Sequence, residues 1–161
     1  MRLPGQSILY GRTTGRTVQP LEGEGMTAKE YLQQYGDAEQ IAQRLKSEYD
    51  KQSELLITIN SPQGSDGQPH GRGVTSPIEN KAIKLAEKLT EYQEAELEAI
   101  RIRQRVLRTV NKVPGQRGAV LYEKYINLKS WRQVADTLHY SKRHCYNLHN
   151  EGLDIVEELI K

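Results

Sequence analysis

The stretch Ser130-Trp131-Arg132-Gln133-Val134-Ala135-Asp136-Thr137-Leu138-His139-Tyr140-Ser141-Lys142-Arg143-His144-Cys145-Tyr146-Asn147-Leu148 decides the fold of this chain. Ser130 and Gln133 have the spacing of a capping box, in which the hydroxyl accepts from the amide three residues on and the longer side chain reaches back. A short helix launched there turns Val134, Ala135 and Leu138 inward. His139-Tyr140 makes a tight turn, and Ser141 caps a second helix whose buried face takes Cys145 and Leu148. Two short helices that cross steeply need a small residue where they come closest, and Ala135 stands there. Val134, Leu138, Tyr140, Cys145 and Leu148 hold the crossing together. The turn position, which favours glycine, holds His139, a residue tolerated in left-handed backbone. The pattern predicts a helix-turn-helix.

Charge points the same way. The formal net charge of the 161 residues is only +2. Yet residues 101–149 carry eleven Lys/Arg against two acids, Glu123 and Asp136. Residues 76–100 carry three Lys against six Glu, and the stretch from Asn150 to Lys161 is also acidic. Concentrated positive charge is the footprint of a polyanion-binding surface. The helix from Ser141 is then the recognition helix, whose first turns enter the major groove of double-stranded DNA. Counting away from Cys145 and Leu148, its exposed positions are Ser141, Lys142, Arg143, Tyr146, Asn147 and Asn150. Arg143 and Asn147 share one face and have the chemistry for base edges, since Arg reads G O6/N7 and Asn reads A N6/N7. Lys142, Tyr146, Ser130 and Arg132 are placed for phosphates, with Lys112 and Arg117 as further backbone contacts. Arg101, Arg103, Arg105 and Arg108 wrap around the preceding helix and are expected to pair with acids of the helix before it.

Working outward, Val120, Leu121, Tyr125 and Ile126 show helical spacing, and Asn127-Leu128-Lys129 is a short connection. Upstream, Tyr31, Tyr35, Ala38, Ala42, Leu45, Tyr49, Gln52, Leu56 and Ile59 alternate at four and three residues, the stripe of a long coiled-coil-like helix. Thr27-Ala28-Lys29-Glu30 is its capping box, and the adjacent Met26 suggests a native start with residues 1–25 as an upstream extension. Residues 60–75 are rich in Gly, Pro and Ser and read as a flexible loop, in which the single Arg72 reads as part of a linker, not an RNA-binding tract. Ser76-Pro77-Ile78-Glu79 opens a second helix with Ile78, Ala82, Leu85, Leu89 and Tyr92 inward. Leu97, Ile100, Leu107 and Val110 follow on a shifted face, suggesting a stutter, and the helix stops at Pro114-Gly115. Both helices come to about 50 Å at 1.5 Å per residue. Matched lengths predict an antiparallel hairpin, able to pair with a second copy as a homodimer.

The expected fold is therefore all-α: a flexible arm over 1–25, a long helical hairpin over 26–113, and a helix-turn-helix domain over 114–161. With no run of 18 apolar residues the chain carries no membrane span, and it shows no secretory signal, so a cytoplasmic location is expected. One cysteine excludes an internal disulfide. Cys145 and His149 are one turn apart and His144 is adjacent, but Cys145 is needed in the core and no fourth ligand is usefully spaced. No metal or cofactor is expected. Phosphate loops, HExxH and nucleophile elbows are missing, so no enzyme is expected.

The segment from Val120 through Tyr125-Ile126, Ser130-Trp131-Arg132-Gln133-Val134-Ala135, Leu138-His139-Tyr140-Ser141 and Leu148 resembles region four of sigma-70-class factors, over roughly 40 residues. With the hairpin ahead of it, the chain from Met26 resembles the RinA- and ArpU-like late transcription regulators of phages and prophages. The hairpin's share of that likeness rests on PIENKAIKL (77–85) and YGDAEQI (35–41). The resemblance implies sequence-specific DNA binding that activates late genes, with host RNA polymerase as a further partner. A phage DNA-packaging component of the small terminase type also joins a helix-turn-helix to helical oligomerisation segments, and is the alternative. The third reading is a helical interaction module that binds no DNA.

Overall fold

The computed structural model describes residues 25–59 and 77–161. The expected arm, Gly25 apart, and the expected loop over 60–75 lie outside the described residues, as does Ser76. Within them the chain runs α1 (Ala28–Ile59), α2 (Pro77–Val110), α3 (Gly115–Leu121), a π-helical turn (Tyr122–Ile126), α4 (Trp131–Leu138) and α5 (Lys142–Ile160). No strand occurs among the described residues, and no helix there is long and apolar enough to cross a membrane.

α1 starts where the capping box placed it. Thr27 N–H donates to Glu30 Oε2 at 2.9 Å, and the Glu30 amide donates back to Thr27 Oγ1 at 3.3 Å. The hydrogen bond from the Thr27 amide, joined by one from its hydroxyl, holds the Glu30 carboxyl below its ordinary range. α1 and α2 pack antiparallel. The Tyr31 hydroxyl meets Thr109 Oγ1 at 3.0 Å near one end, and Lys88 Nζ reaches Glu48 at 3.1 Å further along.

The seam on α1 uses the expected stripe from Tyr31 to Leu56, with Ala42 buried and Gln52 exposed. It also uses Ala28 and Leu32, the latter fully buried. On α2 the stripe differs from the expected one. Leu97 and Ile100 are exposed, and Ala82 is too; the buried line runs through Tyr92, Ala95, Ala99, Ile102, Val106 and Val110 without a stutter. Small alanines at 95 and 99 keep the three-four period and let α1 approach closely. Of the expected positions, Leu85, Leu89, Tyr92 and Leu107 are half-buried and Val110 is buried, whereas Ala82, Leu97 and Ile100 face outward. α2 also ends earlier than expected, at Val110, because Lys112 and Val113 already bond back to Thr109 and Val110 in a tightening turn.

Two hydrophobic clusters lie at the base of the hairpin. The larger joins Ala28 and Leu32 of α1, Ile102, Val106 and Val110 of α2, and Val113 of the turn to Leu121, Tyr125, Ile126 and Val156 further along the chain. One core therefore spans the expected boundary at residue 114. Its closure is reinforced by Glu157, near the end of α5, which accepts from the Ala28 amide at the start of α1 at 2.8 Å. A carboxylate at a helix start is favoured because the first amides are unpaired and partly positive. The smaller cluster joins Val120, Val134, Ala135, Cys145 and Leu148, edged by Trp131, Leu138 and Tyr140. Apart from Val120 and Trp131, this is the set the sequence assigned to the α4–α5 crossing.

Two glycines sit where an added side chain would crowd a neighbour. A Cβ on Gly118 would collide with the Val113 carbonyl oxygen, and one on Gly152 would lie 3.0 Å from Leu121 Cδ1. α3 and α5 are held together at the second of these.

Candidate nucleic-acid interface

α4 and α5 are set by local chemistry. Gln133 N–H donates to Ser130 Oγ at 3.4 Å, while Ser130 N–H and its hydroxyl both donate to Gln133 Oε1 at 2.9 Å. α4 ends at His139, whose φ of 57° is left-handed, and Tyr140 N–H bonds back to the Ala135 carbonyl. Ser141 then caps α5, accepting from the His144 amide at 3.2 Å. The two-residue turn between these caps fixes where α5 begins.

Along α5 the burial is one-sided. Cys145, Leu148, His149, Gly152 and Val156 face inward, whereas Ser141, Lys142, Arg143, Tyr146, Asn147 and Asn150 are exposed. Arg143 and Asn147 sit one turn apart on the outer face. Neither Lys142 nor Arg143 makes an ion pair among the described residues. Their charge is thus offered to solvent.

The other expected contacts divide. Lys112 is exposed beside the α2–α3 turn. The Ser130 hydroxyl is committed to its capping box. Arg132 lies 4.0 Å from Asp136 with both side chains more than seven-tenths exposed, a loose pair that solvent screens. Arg117 is drawn to Glu151 of α5 at 2.6 Å. Asn150 accepts from His149 Nδ1 at 3.3 Å. Arg143, Lys142, Tyr146 and Asn147 are the members that come together on one surface, around the first turns of α5.

The arginines of α2 do not behave as expected. Among the described residues none of Arg101, Arg103, Arg105 and Arg108 pairs with an acid of α1. Arg101 lies 3.5 Å from Glu98 of its own helix, and Arg103 stacks over the Tyr35 ring at 5.9 Å. Lys88 with Glu48 is a cross-hairpin ion pair. In the antiparallel register these arginines lie opposite the start of α1, where Arg103 meets the Tyr35 ring.

An aromatic brace behind the surface escaped the sequence reading. Trp131, at the start of α4, packs on Tyr146 with ring centroids 4.4 Å apart and meets the edge of His149 at 5.0 Å. Lys124 Nζ sits 5.1 Å over the same indole. Beneath it, the Tyr125 hydroxyl donates to His149 Nε2 at 2.9 Å. Burial pushes the Tyr125 hydroxyl up to about 12. Burial also lowers His149, with Lys29 and Lys124 adding repulsion and the Asn150 hydrogen bond opposing it. Tyr146 therefore both packs the brace and faces outward. The signal for His149 was present: it follows Cys145 by four residues, on the face already assigned to the core.

Cys145 is fully buried, and desolvation raises its thiol, so it is a core side chain with its proton held on. No three His, Cys, Asp or Glu side chains converge among the described residues in a way that would hold a metal ion. Compared with known proteins, the chain significantly matches no family model, no curated protein and no solved structure.

Proposed function

We propose that the chain is a sequence-specific double-stranded DNA-binding transcriptional regulator whose α4–α5 unit is a helix-turn-helix, with the first turns of α5 in the major groove. One observation carries this reading: Arg143 and Asn147 stand exposed on one face of α5 with Lys142 beside them, and no acid neutralises the two cations among the described residues. An Arg–Asn pair one turn apart offers donors for guanine and a donor–acceptor fork for adenine. Lys142 lies at the rim, where a phosphate is met before a base. The caps at Ser130 and Ser141 and the brace of Trp131 on Tyr146 hold the helix rigidly enough to read a register. The likeness of residues 120–148 to region four of sigma-70-class factors adds promoter DNA as the target and late-gene activation, in concert with host RNA polymerase, as the biological step.

The test is selection of genomic fragments with the purified chain, followed by fluorescence anisotropy on the enriched sequence and on scrambled duplex. A preferred sequence bound at least a thousandfold more tightly than the scrambled one is expected, the usual lower range for specific binders. Equal affinity for both would overturn sequence-specific reading, and no binding at low salt would overturn DNA binding altogether.

A further inference from the structure

α2 has a second face that α1 does not cover. Leu97 and Ile100 are 54% and 47% exposed there, with Gln93 and Gln104 extending the line at heptad spacing. Beside this line, Glu87, Glu94, Arg101 and Arg108 recur every seven residues and are all exposed. The edge is acidic toward the start of the helix and basic toward its end.

We propose that a second copy of this chain docks on this face, its α2 antiparallel to the first, about a two-fold axis passing between Leu97 and Ile100. In that register Leu97 packs on the partner's Ile100, and Gln93 faces the partner's Gln104. Glu94 then meets the partner's Arg101, Glu87 meets the partner's Arg108, and symmetry repeats each pair. A parallel pairing would face this edge with residues five earlier in the partner, setting Glu96 near Arg101 but Arg103 near Arg108 and leaving Glu94 opposite Leu89, so the charge pattern favours the antiparallel form. The competing hold on Arg101 is weak: its contact with Glu98 is 3.5 Å long, and the arginine side chain is 72% exposed. Four leucine and isoleucine side chains make a modest apolar centre, and the matched edges set its direction. This inference uses only α2 and stands apart from the DNA-binding reading.

Sedimentation velocity on the full chain, over a concentration series at low and high salt, tests it. A reversible monomer–dimer equilibrium that weakens with salt is expected. Leu97→Glu should leave the chain monomeric with its circular dichroism melt unchanged. Glu94→Arg and Arg101→Glu should each weaken the dimer by about tenfold or more, and the double exchange E94R/R101E should recover most of the loss. A chain that stays monomeric at every concentration would overturn the proposal. So would a dimer indifferent to Leu97→Glu, a double exchange without recovery, or a ring of many copies, which needs a head-to-tail contact.

Discussion

The Tyr125 hydroxyl and His149 Nε2 lie 2.9 Å apart where the two hydrophobic clusters meet, and burial there lowers the pKa of His149. Its Nδ1–H points to Asn150 Oδ1, so both ring nitrogens are satisfied without a charge. Tyr125→Phe leaves a buried ring nitrogen without a donor and should cost about 1–3 kcal/mol in denaturant unfolding, although it removes only one oxygen.

The burial of His149 predicts an acid-sensitive fold. The folded His149 has a lowered pKa, so as pH falls below about 6.5 the unfolded chain takes a proton that the folded chain refuses. Stability is unaffected by this group well above that pH and declines below it, at no more than about 1.4 kcal/mol per pH unit. Melting temperatures between neutral pH and mildly acidic pH should drop in the native chain and drop less in a His149→Gln variant. Equal slopes would show that His149 is not the group responsible.

On the outer face of α5, Arg143→Ala should cost about 1–3 kcal/mol on the preferred duplex and flatten discrimination at one base position. Lys142→Ala should weaken all duplexes alike and lower the slope of affinity against salt by about one phosphate. Anisotropy titrations across a salt series separate the two behaviours.

Backbone crowding makes two glycines unequal. Gly118→Ala pushes a methyl into the Val113 carbonyl, which the chain cannot turn aside, and should destabilise by about 1–3 kcal/mol. Gly152→Ala meets only the Leu121 side chain, which can yield, and the helix gain of up to about 1 kcal/mol leaves it near neutral. Thermal melts of the two variants should therefore diverge.

Left-handed backbone at His139 and Leu128 gives a paired test. For a residue with a Cβ this conformation costs roughly 1–2 kcal/mol, so His139→Gly should raise stability by about 1 kcal/mol. Leu128→Gly relieves the same strain but loses the leucine's contact over Gly36, where a Cβ would come within 3.3 Å of Leu128 Cδ2, and should gain little. Urea midpoints of the two variants measure the difference.

Much of this architecture was legible because caps and periods are local. Thr27 with Glu30, Ser130 with Gln133, and Ser141 mark their helix starts by spacing alone, and the Cys145–Leu148 face follows from the 3.6-residue period. What escaped depends on partners far along the chain. Ala95 and Ala99 line the seam while the larger Leu97 and Ile100 stay outside, because the small residues admit α1 and nothing in α2 itself says so. The π-helical turn at Tyr122–Ile126 has no sequence signal we could read, yet it sets Tyr125 against His149. Glu157 caps a helix that begins 129 residues earlier, which no local window can see. In the candidate site, the exposed positions of α5 followed from its period, whereas the commitment of Arg117 to Glu151 did not.

The core shared across residue 114 ties the base of the hairpin to α3, the π-helical turn and α5. A fragment cut at Pro114 would expose the faces of Leu121, Tyr125 and Val156 that pack on the hairpin. Loosening the end of α5 therefore uncovers the start of α1, because Val156 and Glu157 close on the same end of the hairpin as Ala28 and Leu32.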